Sequence, residues 1–240
     1  MTFKAFIIGM LASFGLPWLF AIVLPFAEMR ALEAPVDGES GVYEPGRAER
    51  ITEGSKIYGQ EGCAVCHSQV IRPTYAGWDV YRGEWAGLLS SPKNLDDTRR
   101  GTLPWDYADE AVAHVGESRI GPDLSNFGRR VEFYQKGKKL SAEDWIYLHL
   151  YNPRGIPNYK DDQIVPAKST CPSKAGLFKE VPAYQAGNDA LPLNTPEEIV
   201  VVPTDRARRL ASYLLSLKKD TLGQPVPKKW NFNPEAPKAE

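Results

Sequence analysis

The chain has 240 residues, 42% apolar and 25% charged, with a formal net charge of −1, an ordinary globular balance that offers no basis for nucleic-acid binding. Twenty prolines and twenty glycines exclude a molecule built mostly of long regular elements, so extended irregular segments are expected. From Ala5 to Phe26 no side chain is charged, and Ser13 is the only clearly polar one. At about 1.5 Å per residue a helix over this run spans roughly 33 Å, enough for a hydrocarbon core of about 30 Å. A cleaved signal peptide is the alternative, but its apolar region is usually shorter and no good small-x-small cleavage site follows the run before Pro35. A retained anchor is therefore expected, with Pro17 kinking it. Lys4 on one side and Arg30 beside Glu28 on the other leave its orientation open by charge alone.

Residues 47–62, RAERITEGSKIYGQEG, suit a short helix ending near Gly62, and GCAVCHSQVIRP (62–73) follows. Cys63, Cys66 and His67 stand at C-x-x-C-H spacing, which serves covalent haem attachment, half a zinc site or a redox dithiol. Structural zinc takes four Cys or His ligands, usually in two pairs. Here only His114, His149 and Cys171 remain, scattered. A thioredoxin-like dithiol needs a βαβ context, and no strand-rich run precedes Cys63. Histidine directly after the second cysteine fits haem: two thioethers fix the ring and His67 supplies an iron ligand.

Further along, DEAVAHVGESRIG (109–121) reads as a short helix, and RIGPDLSNFGRR (119–130) carries a Gly-Pro turn. SAEDWIYLHLYNPR (141–154) opens with Ser141 and Asp144 at capping-box spacing and stops before Pro153. Residues 179–202 suggest an insertion with a short helix started by Thr195, Pro196 and Glu198. PTDRARRLASYLLSLKKD (203–220) has Thr204 as N-cap, with Ala207, Leu210, Ala211, Leu214 and Leu217 on one face. The Pro-rich tail 221–240 and a linker at 31–48 are expected to be extended.

Taken together, these pieces resemble subunit II of cbb3-type cytochrome c oxidases. The likeness rests on the single anchor, GCAVCHSQVIRP, RIGPDLSNFGRR, the helix ending HLYNPR and VVPTDRARRLASYLLSL, which cover most of the chain in order. It implies a mainly α, cytochrome c-like haem domain (49–220) with long loops and one covalently bound haem c. That domain is tethered by one N-terminal transmembrane helix (1–30) and lies on the exported, periplasmic side of the bacterial inner membrane. The terminal helix should cross the one preceding C-x-x-C-H. The Pro122 carbonyl should accept from His67 Nδ1, with Leu124 packing on the ring. Arg72 and Arg154 should pair with haem propionates through bidentate guanidinium contacts. The resemblance further implies a hetero-oligomer. Electrons would come from a diheme or soluble c-type cytochrome and pass to a haem–copper catalytic subunit; the chain itself would perform no oxygen chemistry. The stretch 74–118, rich in Trp, Tyr and Arg, reads as a long loop with short helices that wraps the haem edge and meets that subunit, or as a decorated surface loop. Two other readings stay open: a tethered monohaem cytochrome of the nitric oxide reductase type, and a His/Cys-ligated haem enzyme of sulfur oxidation.

One departure concerns the second axial ligand. The family carries it in a Ser-x-Met-Pro segment, whereas this chain reads KSTCPSKAGLF (168–178), and its three methionines, Met1, Met10 and Met29, sit in or beside the anchor. Cys171 therefore stands at the ligand position, and His67/Cys171 ligation is expected; a thiolate would lower the potential relative to a thioether. His114, a lysine, a water or an open position compete with it, and His149 is expected to pack or hydrogen-bond.

Overall fold

The computed structural model describes residues 2–30, 49–82, 85–87, 98–107, 110–135, 141–154, 169–193 and 198–220. The expected linker (31–48), the tail (221–240) and Thr195 and Pro196 lie outside these. The first element, α1 (Phe3–Glu28), begins where the Thr2 hydroxyl accepts from the Ala5 N–H at 3.4 Å. It alone among the described residues is long and apolar enough to cross a membrane, and none of its apolar window is buried in the protein. Pro17 has no N–H to give and crowds the preceding turn. The helix absorbs this without ending, through wide π-turns at Leu11–Gly15 and Leu19–Val23 on either side of it. Phe6, Phe14, Trp18 and Phe20 all point away from the rest of the chain, a surface suited to lipid rather than water.

The remainder is mainly helical: α2 (Glu49–Gln60), the single turn α3 (Cys63–Cys66), α4 (Phe127–Gln135), α5 (Ala142–Tyr151), α6 (Ala183–Ala186) and α7 (Asp205–Ser216). Both expected caps form, Ser141 accepting from the Asp144 N–H at 3.0 Å and Thr204 from the Ala207 N–H at 3.4 Å. Ala207, Leu210, Ala211 and Leu214 recur at helical spacing and all are buried. This face of α7 packs on α2, α4 and α5, and its closest approach is at Gly54. A Cβ there would strike the Arg209 carbonyl and lie 2.6 Å from Tyr213 Cβ, so only glycine lets the two backbones cross. Ile57, Tyr58, Leu124, Phe127, Val131, Ile146, Leu148 and Leu217 complete one continuous core. Each large side chain fully buried there contributes about 1.5–3 kcal/mol.

Two expectations need correction. Residues 199–203 form a strand instead of continuing a helix: β1 (Phe178–Pro182) pairs antiparallel with β2 (Ile199–Pro203), Phe178 opposite Pro203 and Val181 opposite Val200. The run Ile199-Val200-Val201-Val202 is β-branched and favours the pleated surface. The hairpin also fixes the start of α7, because the Thr204 N–H donates to the Leu177 carbonyl at 3.0 Å. The second correction concerns 110–121, which is irregular rather than helical. Its backbone is tied at Val115, Glu117 and Gly121 to residues 64–69, which draws the segment out along the C-x-x-C-H turn instead of into a helix.

Candidate functional site

The site begins at the end of α2. Gly62, with φ of 71°, turns the chain so that Cys63, Ala64, Val65 and Cys66 wind as one tight turn, and the His67 N–H closes onto the Cys63 carbonyl at 3.0 Å. Residues 115–124 are stitched alongside this segment by four backbone hydrogen bonds. Gln69 N–H donates to the Val115 carbonyl (3.0 Å) and Glu117 N–H to that of Ala64 (2.8 Å). Gly121 N–H donates to that of Cys66 (2.9 Å) and Leu124 N–H to that of Ser68 (2.8 Å). This stitching brings the Pro122 carbonyl 2.8 Å from His67 Nδ1, as expected from the sequence. Nδ1 therefore carries the proton and Nε2 keeps its lone pair. A Cβ at Gly121 would collide with the imidazole, 2.6 Å from Nδ1, so the absent side chain is what lets the ring lie against this loop.

Beneath the loop lies a buried ionic network that sequence reading missed. Asp79 accepts from Arg72 Nε and Nη2, both at 2.9 Å, from the Arg72 N–H at 2.9 Å and from Arg119 Nη1 at 2.5 Å. Asp123, adjacent to Pro122, accepts from the Ser68 hydroxyl (2.6 Å) and the N–H groups of Val70 and Ser125 (both 2.8 Å), while Arg130 Nη1 donates to its carbonyl at 2.9 Å. Burial pushes the Asp79 carboxyl up, but the hydrogen bonds from Arg72 and Arg119 outweigh this and hold it well below the usual carboxylate range. Local patterning offers no signal for these residues, because Ser68 and Asp123 meet across 55 positions.

The ionisation of His67 follows from the same surroundings. Burial lowers its pKa and the Arg130 cation adds to that, against the opposing pull of the Pro122 carbonyl and Asp123. The imidazole is thereby kept neutral at pH 7, the state a metal ligand requires. Burial raises the Cys63 thiol to about 12. Cys171 is also raised by burial, with Lys174 and Arg154 pulling down and Cys66 pushing up. The Cys171 thiol also helps to raise Cys63. All three are free thiols.

The other expected residues divide. Leu124 is buried in the core. Arg72 is committed to Asp79, and Arg154 Nη1 donates to the carbonyls of Cys171 (2.8 Å) and Ser169 (3.4 Å). His114 lies against α2, its Nε2 3.0 Å from both the hydroxyl and the carbonyl of Ser55, its ring edge-on to Tyr58. His149 stacks on Trp145 with ring centroids 5.4 Å apart, and its enclosed Nδ1 has no hydrogen-bond partner among the described residues. Burial, with His67 nearby, lowers its pKa to about 4.

Chemically, the arrangement presents a neutral imidazole Nε2, two thiols one helical turn apart and a third thiol from a separate segment. Among the described residues no three His, Cys, Asp or Glu side chains converge as a metal-binding group. In comparison with known proteins, no family model matches the chain and no curated protein is similar to it at a significant level.

Proposed function

We propose that this chain is a membrane-tethered monohaem c-type cytochrome that carries electrons, the role implied by its resemblance to subunit II of cbb3-type oxidases. The observation that carries the reading is His67, whose Nδ1 is held by the Pro122 carbonyl at 2.8 Å, one residue after two free thiols on a single turn. The donor set suits a haem. Cys63 and Cys66 would hold it by thioether bonds, His67 by Nε2 and Cys171 by Sγ. A porphyrin brings four nitrogens of its own, so two protein side chains complete the iron, and a cluster of three or more is not required. The crossing of α7 over α2, with C-x-x-C-H at the end of α2, supports a cytochrome c-like arrangement.

When bound, the haem supplies a one-electron ferric/ferrous couple. The chain's own residues do the rest. Pro122 keeps the proton on Nδ1 and raises the donor strength of Nε2. Gly121 gives the imidazole its place, and Leu124 and the surrounding core exclude water. Cys171, as a thiolate, would donate more charge than a thioether and favour the oxidised state. His114 is the weaker candidate for that position, since its Nε2 is engaged by Ser55. Helix α1 would hold the domain at a bacterial inner membrane, on the periplasmic side. There a diheme or soluble c-type cytochrome would deliver electrons, and a haem–copper catalytic subunit would receive them.

Mass spectrometry of the purified full-length chain tests the reading: one covalently added haem is expected. A colourless or zinc-loaded protein refutes it. Co-purification with a multi-span haem–copper subunit tests the assignment of the complex.

A further inference from the structure

We infer that residues 169–174 form a strap that sets the position of the Cys171 sulfur, with Arg154 and Lys174 as its positioning residues. This rests on the reading of Cys171 as an axial ligand and explains how a loop outside any helix or strand could present it.

On the N-terminal side of the cysteine, Arg154 Nη1 spans the carbonyls of Cys171 and Ser169, and the Cys171 N–H donates to the Ser169 hydroxyl at 3.2 Å. On the C-terminal side, the Ser173 hydroxyl donates to the Tyr151 carbonyl at 2.5 Å and the Lys174 N–H to the Leu150 carbonyl at 2.7 Å. Those two carbonyls belong to the last turn of α5, where no intrahelical donor remains to satisfy them. Lys174 Nζ then reaches the other helix, donating to the Glu61 carbonyl at 2.6 Å, next to Gly62 and the start of the C-x-x-C-H turn.

The strap is therefore fastened to the C-terminal ends of both α5 and α2, and α2 leads directly into the attachment cysteines. Pro172 stiffens it by restricting its own φ. Among the described residues the sulfur's hydrogen bond goes to the Pro172 carbonyl, at 3.5 Å and within the strap itself, so its location follows the backbone. Both outer fasteners are charged donors on neutral carbonyls, a stronger class of hydrogen bond than a neutral pair. Arg154, expected on a haem propionate, instead acts through the main chain of Cys171.

The test uses the full-length protein in detergent, oxidised, and follows the thiolate-to-iron charge-transfer band together with the affinity for added imidazole. Arg154→Ala and Lys174→Ala should each weaken the band and tighten imidazole binding by about tenfold, with the haem mass unchanged. Arg154→Lys, which can still reach one carbonyl, should recover most of the band. If both alanine variants match the unmutated protein while Cys171→Ala loses the band, the strap has no positioning role and the ligand assignment stands. If the unmutated protein lacks the band, or Cys171→Ala keeps it, the ligand assignment fails and the strap's role with it. Should an alanine variant not accumulate, Arg154→Gln and Lys174→Gln are judged by the same criteria.

Discussion

The two sides of the site are built from different materials. On the His67 side, main-chain hydrogen bonds and buried carboxylates hold the Pro122 loop, and Asp79 and Asp123 have no exposed surface. On the Cys171 side, a short strap is held by Arg154, which is exposed, and by Lys174, which is partly so. The first arrangement belongs to the folding core, so disturbing it disturbs the whole domain. The second is an attachment to helix ends, and altering it should move one atom and leave the fold intact. Under the proposed haem reading, one ligand position would be set by the folding core and the other by a strap that a single substitution can alter.

The sharpest way to break this contrast is Asp79→Ala. It takes from Arg119, a guanidinium mostly removed from water, the nearer of two carboxylates, leaving Asp123 at 3.9 Å, and also strands the Arg72 donors, so it should cost about 3–5 kcal/mol in denaturant unfolding. A loss below about 1 kcal/mol would mean that the network beneath Pro122 is not what holds the loop. Next comes Gly121→Ala. The new methyl group must push the imidazole or the loop aside, so about 1–3 kcal/mol of stability should be lost. If the chain carries haem as proposed, a changed haem spectrum should accompany that loss, because the Nδ1 bond to Pro122 cannot survive unaltered. By contrast, Arg154→Ala should leave unfolding within about 0.5 kcal/mol of the parent, as for an exposed side chain, even though the spectrum responds.

A pH effect separates the two sides from another direction. His149, on the helix that bears the strap, has a folded pKa of about 4 against an ordinary 6.5. The unfolded chain therefore takes up its proton first, and the stability due to the neutral ring is complete above about pH 6.5 and declines as pH falls toward 4. The slope from this residue is at most about 1.4 kcal/mol per pH unit. Thermal unfolding of His149→Gln between pH 7 and 4 should show a shallower decline than the parent. Parallel curves would place the decline on groups other than His149, and not on Asp79, whose lowered carboxyl contributes stability above about pH 4 and loses it only in stronger acid.

Much of this molecule is written locally. The uncharged run from Ala5 to Phe26 sets a membrane-length helix, because length and apolarity alone decide that. Ser141 and Thr204 start their helices through hydrogen bonds made within three residues. The C-x-x-C-H spacing places two thiols and an imidazole on one turn wherever that turn lies, and Gly-Pro at 121–122 marks the loop that meets it. Other features depended on pairing between distant segments. Residues 110–121 have a composition compatible with helix, yet the Val115 carbonyl and the Glu117 and Gly121 N–H groups pair with residues 64–69, and these contacts outcompete a helix too short to stand alone. The strand at 199–203 needed β1 as a partner before its β-branched residues could show their preference. Arg154 and Arg72 have the chemistry to bind any carboxylate or carbonyl; folding delivered a carbonyl to one and Asp79 to the other. Side-chain type and short spacing are properties of the sequence, whereas the partner a charged group finds is settled by which distant segment the core packing brings against it.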